Sequence, residues 1–286
     1  MPLSGEKLKT ALLQALMGMS LPHRLTEQAS DYLCRMTQLP PDTFPSVQLP
    51  SRASAARTGL VVATAATLLA MALVHVTAFT ASKAALASIG LLLLGVTLLW
   101  ERLPRHYPHH RFGACNTVTL LRAGLGATLL TPLLLQDSDT TDAQGWAIVL
   151  VASLALSMDG LDGWLARRDR LTSSFGARFD LEVDAALALI LSLLVLDAGT
   201  VGPVVLVLGL MRYAFVAASW GLPWLAAPLP DKSGRKVVCV VQIAALIVLQ
   251  APIITGSMAL AIGASAAAAL IWSFGRDILW LWRHRP

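Results

Sequence analysis

Residues 157–186 read SMDGLDGWLARRDRLTSSFGARFDLEVDAA, and they hold Asp159, Asp162, Asp169, Asp180, Glu182 and Asp184 out of 17 acidic residues in the whole chain. Asp159 and Asp162 are at i and i+3, Asp180 and Asp184 at i and i+4, and on a helix either spacing puts both carboxylates on one face. Between the two pairs runs a short basic stretch containing Arg167, Arg168, Arg170 and Arg178. The spacing therefore predicts two antiparallel helices joined by a short loop, with the acidic pairs facing each other. Apolar runs on either side put these carboxylates near a membrane boundary, where ionisable groups are costly unless something neutralises them. Oxygen ligands with no histidine or cysteine beside them suit hard divalent ions, Mg²⁺ or Mn²⁺. Four carboxylates have room for two such ions, and paired ions favour displacement at phosphorus. The competing account is that Arg167, Arg168, Arg170 and Arg178 pair with these acids as interfacial salt bridges.

Working outward, the remaining chain behaves as a membrane protein. Of its 286 residues, 56% are hydrophobic and 14% charged, against about 45–50% and about 25% in soluble domains. A mean hydropathy of +0.65 excludes disorder, which needs low hydrophobicity. Apolar runs at 59–79, 82–100, 118–135, 146–165, 185–196, 201–220, 237–254 and 257–274 approach the roughly 20 residues that a helix needs to cross a bilayer. The run at 185–196 reaches that length by borrowing residues from Phe179 onward, which places carboxylates at its entrance. The expected fold is all-α, a polytopic integral membrane helical bundle.

Orientation follows from the connections. Basic residues gather before the first run and after the second, fourth, sixth and eighth, whereas the alternate connections hold almost none. By the positive-inside rule both termini and the acidic segment face the cytoplasm, as expected for a multi-pass protein of the inner or plasma membrane. The net charge of +5 thus reads as topology and attraction to anionic lipid, and no nucleic-acid partner is expected. Cys34, Cys115 and Cys239 lie far apart, which suits neither a disulfide scaffold nor zinc. No signal peptide is visible at the N-terminus. Residues 1–58 read as a cytoplasmic region with an amphipathic helix over 5–36 and a proline-rich loop, and 59–112 as two transmembrane helices with a juxtamembrane segment. In that segment His106, His109 and His110 suggest either an interfacial helix or, less simply, a metal site.

Asp159, Asp162, Gly163, Ala166, Arg167, Gly176, Asp180 and Asp184 reproduce the pattern DxxDGxxAR, eight residues, GxxxDxxxD. In this the chain resembles the CDP-alcohol phosphotransferase (CDP-alcohol phosphatidyltransferase) family, with residues 113–286 as a six-helix core and the two earlier helices as an N-terminal addition. The resemblance implies transfer of a phosphatidyl group from CDP-diacylglycerol to an alcohol, with release of CMP, in phospholipid synthesis. It implies that Asp159, Asp162, Asp180 and Asp184 hold a pair of Mg²⁺ or Mn²⁺ ions and that Asp184 is the general base. It also implies that Gly163, Ala166, Arg167 and Gly176 bind the donor nucleotide, and that the protein is a homodimer. The small residues would let a nucleotide approach the backbone, although close helix packing in lipid asks for them too.

Asn116, Thr119 and Arg122 recur every third residue, as similar residues do at the start of the first core helix in many members of this family. Asn116 and Thr119 are expected to border the donor, with helix capping as the alternative for Asn116. Arg122, Arg212, Lys232 and Arg235 are expected to bind the acceptor, because an unpaired guanidinium within a span, as at Arg212, is disfavoured. That choice favours glycerol 3-phosphate as acceptor; inositol phosphate, serine and choline fit the same signature. Rival functions are a metal-dependent membrane prenyltransferase, whose acidic motifs would lie in two separate loops, and a cation-coupled transporter, which would leave the fixed glycines and Arg167 without a role.

Overall fold

A backbone in lipid must satisfy its own hydrogen bonds, and each apolar run does so as a helix. The computed structural model describes residues 52–79, 83–134, 141–227 and 233–284. Helix α1 is Arg52–Thr77, α2 Lys83–His106, and α3 Gly113–Thr128, continued by a short turn of helix at Leu130–Leu134. Then come α4, Asp142–Arg168; α5, Ser174–Asp197; α6, Leu206–Gly221; α7, Ser233–Val248; and α8, Gly256–Arg283. The described residues contain no strand. Six segments are long and apolar enough to cross a membrane: 54–77, 83–106, 113–134, 142–168, 203–221 and 256–283. Of the other two helices, α5 carries Arg178, Asp180, Glu182 and Asp184 in its first turns, and α7 is 16 residues long.

Two boundaries differ from the sequence expectation. Helix α1 starts at Arg52, ahead of the apolar run, and α2 continues past Trp100 through Pro104 to His106. The segment after it, 107–112, is not the expected interfacial helix but an irregular, bent strap leading into α3. The amphipathic helix expected over 5–36, the proline-rich loop and Lys232 lie outside the described residues.

The outward faces are apolar, as lipid requires: Leu69 is 74% exposed and Trp220 82%. The buried faces turn inward on α3, which packs against α1, α2, α4 and α5. Along α3, Cys115, Asn116, Thr119, Leu120, Arg122 and every residue from Gly124 to Thr128 are buried. Small residues permit this crowding. A Cβ on Gly124 would stand 2.2 Å from Thr67 Cγ2 of α1. At the end of the bundle away from the acidic segment, His75 of α1 bonds through Nε2 to Thr131 Oγ1 at 3.0 Å and to Ser88 Oγ of α2 at 3.2 Å. The first two helices are thereby tied by polar as well as apolar contacts to the residues that follow α3.

The turn between α4 and α5 is fixed from both sides. Helix α4 ends in a Schellman arrangement, with the Leu171 N–H donating to Ala166 O at 2.9 Å and Arg170 in the left-handed region at φ 54°. Helix α5 begins with Ser173 as N-cap, its Oγ accepting from the Gly176 N–H at 3.0 Å. Leu171 packs where a side chain on Gly113 would be, 2.3 Å from the Cβ position, and Gly113 has φ +79°. The start of α3 and the α4–α5 turn are thus locked together.

A tight helix approach at a glycine gives a direct test. A Cβ on Gly209 of α6 would lie 2.0 Å from Ser192 Oγ and 2.9 Å from Leu189 Cα of α5. Because a backbone atom cannot step aside, Gly209→Ala is expected to destabilise the protein by about 1–3 kcal/mol, read as a lower unfolding temperature in detergent. Gly90→Ala, where nothing lies within 4 Å, is expected to leave that temperature unchanged or slightly raised.

Candidate functional site

Helices α3, α4 and α5 converge where the acidic segment meets the start of α3. Arg122 projects from α3 with its side chain fully buried. Its Nη2 is 3.0 Å from Asp159 Oδ1 and also meets Asp184 Oδ1, while Nη1 is 2.8 Å from Asp162 Oδ2 and 2.6 Å from Asp180 Oδ1. One guanidinium thus gathers both acidic pairs, and Arg167, Arg168, Arg170 and Arg178 make no ion pair with them. The salt-bridge account of the acidic cluster holds in kind but with a different partner, contributed by a third helix. Thr119, one turn before Arg122, shares its hydroxyl proton between Asp162 Oδ2 at 3.0 Å and Cys115 O at 3.1 Å.

The carboxylates differ in access. Asp162 is nearly sealed, whereas 36% of the Asp180 side chain is open. Asp159, Asp162 and Asp180 each offer an oxygen within 4.8 Å of the others. An octahedral Mg²⁺ with ligands at about 2.0–2.1 Å spans about 4.2 Å between opposite oxygens, so this trio fits a hard divalent ion after a small closure. Asp184 stands outside the trio and reaches the same guanidinium from α5. Four carboxylates facing one guanidinium leave an excess of negative charge that a further cation would neutralise.

The other expected site residues divide into near and far. Gly163 and Arg167 share a face of α4, with Arg167 Nη1 3.4 Å from the Cβ position of Gly163. Ala166, half-buried, sits one turn beyond Asp162. Gly176 faces Asn116: a Cβ there would lie 3.3 Å from Asn116 Oδ1. Arg212 has a partner within the protein, Glu182 Oε1 of α5, so its place in the span needs no ligand to explain it. It does not join Arg122, which serves the carboxylates. Arg235 falls in the first turn of α7.

One residue that the sequence did not single out touches this region. The Tyr107 hydroxyl accepts from Asn116 Nδ2 at 2.9 Å and lies 3.0 Å from the carbonyl oxygens of both Arg111 and Phe112. Its ring meets those of His109 and Phe175 edge to face at 5.4 and 5.5 Å. Burial pushes the phenol up to about 12, with the Cys115 thiol adding to the shift, so it remains a neutral hydroxyl at physiological pH. Of the neighbouring histidines, His109 bonds Thr172 O at 3.2 Å and His106 Nδ1 its own helix at Arg102 O. Among the described residues they gather no metal-ligand set.

Removing one partner of a buried ion network costs about 3–5 kcal/mol, because it leaves the other charges uncompensated. Arg122→Gln is therefore expected to lower the unfolding temperature sharply in the presence of chelator. Added Mg²⁺ or Mn²⁺ should restore part of the loss by supplying positive charge to the same carboxylates. Thermal unfolding with and without the ion reads both effects.

Searches of curated proteins and of solved structures return no match. The family model described as CDP-alcohol phosphatidyltransferase matches residues 112–273, from the start of α3 into α8. Helices α1 and α2 and Tyr107 precede the matched residues. The match spans more than half of the chain and contains the complete acidic signature with all four of its carboxylates on one guanidinium, and by it this integral, multi-pass membrane protein belongs to the CDP-alcohol phosphatidyltransferase family.

Proposed function

We propose that the protein transfers the phosphatidyl group of CDP-diacylglycerol to a small alcohol or alcohol phosphate, releasing CMP at the cytoplasmic face. The observation that carries this reading is the convergence of Asp159, Asp162, Asp180 and Asp184 on one point between three helices. A lipid-linked donor is supported by what flanks that point. Leu161 and Trp164 of α4 and Leu181 of α5, interleaved with the motif residues, are each more than 40% exposed. Polar cluster and lipid-facing surface therefore adjoin, and acyl chains can stay in the bilayer while the diphosphate reaches the carboxylates. The guanidinium of Arg168 stacks on the Trp164 ring at 5.1 Å, an arrangement suited to the headgroup level.

In this reading Asp159, Asp162 and Asp180 hold divalent metal, Mg²⁺ or Mn²⁺, and Asp184 completes the set for a second ion. When bound, the metal neutralises charge on the diphosphate as the CMP oxygen departs. The acceptor hydroxyl oxygen forms a bond to the phosphatidyl phosphorus, the bond from that phosphorus to the CMP oxygen breaks, and Asp184 takes the hydroxyl proton. The position of Asp184 outside the trio supports its work as base. Asn116, Thr119, Gly163, Ala166 and Gly176 border the nucleotide, and Arg167, exposed on the face of Gly163, is free to meet its phosphates. Arg212, Lys232 and Arg235 are assigned to an anionic acceptor, glycerol 3-phosphate first; Arg122 is committed to the carboxylates. Residues 113–286 form the catalytic core and the protein works as a homodimer.

The test is CMP release from CDP-diacylglycerol and Mg²⁺ or Mn²⁺ by purified protein, with glycerol 3-phosphate, inositol phosphate, serine and choline added singly. Release that depends on one of them and disappears in Asp180→Ala is expected; release with none of them contradicts the proposal. Asp184→Asn should lower turnover by about 10²–10⁴-fold while the variant stays folded and still binds CDP-diacylglycerol. Near-normal turnover would remove Asp184 from the role of base.

A further inference from the structure

Asn116 is almost entirely buried, yet its side chain is only half satisfied by the protein. An asparagine amide has two N–H donors and one carbonyl acceptor. Both donors are spent, on Tyr107 Oη at 2.9 Å and Phe112 O at 2.5 Å. Oδ1 accepts no hydrogen bond from the described residues. It is not sealed either, since the fully covered side-chain nitrogens and oxygens left without partners among those residues are the Nε atoms of Arg57, Arg122 and Arg212. What Oδ1 faces is Gly176, the position where a Cβ would stand 3.3 Å away, one helical turn before Thr119 and its bond to Asp162.

An amide is nearly symmetric in shape, so something must decide which end points inward. The Tyr107 hydroxyl proton is committed to the carbonyls of Arg111 and Phe112, both at 3.0 Å. Toward Asn116 that oxygen can therefore only accept, as can the Phe112 carbonyl that Nδ2 also meets, and the two acceptors together turn Nδ2 inward and Oδ1 toward the gap. The ring is held in turn by His109 and Phe175, and His109 by the carbonyl of Thr172. The strap after α2, most of which precedes the residues that match the family, thereby helps to set the polarity of a residue inside them.

We infer that Tyr107 is a specificity-determining positioning residue: with the Phe112 carbonyl it holds the Asn116 amide so that the site presents a hydrogen-bond acceptor to a donor group on the nucleotide. This rests on the reading of the site as one for a CDP-linked donor. Two groups on a cytidine nucleotide have the required chemistry, the exocyclic amine of the base and a ribose hydroxyl. A uracil base places a carbonyl where cytosine carries its amine, so an acceptor fixed at Oδ1 would repel it. Loss of the Tyr107 hydroxyl leaves the amide held by the Phe112 carbonyl alone, with one buried N–H unpaired, and so weakens that choice.

The experiment measures binding of CMP, UMP and 2′-deoxy-CMP to the purified full-length protein with Mg²⁺, for the native chain, Tyr107→Phe and Phe175→Leu. Tyr107→Phe keeps the ring contacts and removes only the hydroxyl. It is expected to shrink the preference for CMP over UMP by about 3- to 10-fold, the worth of one hydrogen bond, if the base amine is the partner. If the ribose is the partner, the preference for CMP over 2′-deoxy-CMP shrinks instead. Phe175→Leu loosens the packing but leaves the hydroxyl, and is expected to lower the unfolding temperature without changing either preference. Unchanged preferences in Tyr107→Phe, with a native chain that binds CMP, overturn the role of Tyr107 alone. Equal shifts in both variants also overturn it, since packing would then explain them. A native chain that binds no CMP overturns this inference together with the donor reading.

Discussion

A buried guanidinium among four carboxylates is the interaction on which the rest of this structure depends. Arg122 stands on the most enclosed helix of the bundle, where an uncompensated charge would cost several kcal/mol. Its compensation comes from two other helices, with Asp159 and Asp162 on α4 and Asp180 and Asp184 on α5. The pairing fixes the rotation of three helices at once, because each acidic pair must turn one face toward α3. It also leaves negative charge in excess, which is what a divalent ion and an anionic diphosphate together can use. In the proposed reading, the same residues that hold the bundle together at this end also hold the metal that meets a charged substrate.

The surrounding packing serves that arrangement. Helix α1 lies against α3 closely enough that Gly124 cannot carry a side chain beside Thr67, and Gly113 leaves room for Leu171 of the α4–α5 turn. The Schellman ending of α4 and the Ser173 cap of α5 hold the two acidic pairs at a fixed separation. Helices α1 and α2 precede the matched residues, but the His75 bonds to Ser88 and Thr131 and the strap at Tyr107 bind them to the core at both of its ends. They are part of the scaffold that holds α3 in place and not an appendage hung upon it.

Much of this was legible in the sequence for identifiable reasons. The acidic pairs declare themselves by helical spacing, and the apolar runs by their length, so the eight longer helices of the described residues and the meeting of the two acidic pairs could be anticipated, although α4 and α5 pack on α3 and α7 and not closely on each other. The partner of the carboxylates could not. Arg122 shares a broad face with Asn116 and Thr119, but periodicity does not say which neighbour that face meets, and the nearby arginines of the α4–α5 turn were the closer candidates in sequence. Arg212 misled for a related reason: its partner, Glu182, is 30 residues away on another helix. Tyr107 left no signal at all, since a tyrosine beside histidines at a membrane boundary is ordinary and its hydroxyl matters only through the fold of residues 107–112. Family membership removes the prenyltransferase and transporter alternatives that the residues alone had left open.

The central claim is that the four carboxylates form a divalent-ion site into which a CDP-linked lipid fits. Electron paramagnetic resonance of Mn²⁺ bound to the purified protein, recorded before and after addition of CDP-diacylglycerol, addresses it most directly. The account predicts a bound Mn²⁺ signal that the lipid alters and that Asp162→Asn abolishes, because Asp162 is the most buried of the carboxylates. Mn²⁺ binding of equal strength in Asp162→Asn and the native chain, or a signal indifferent to the lipid, would contradict it.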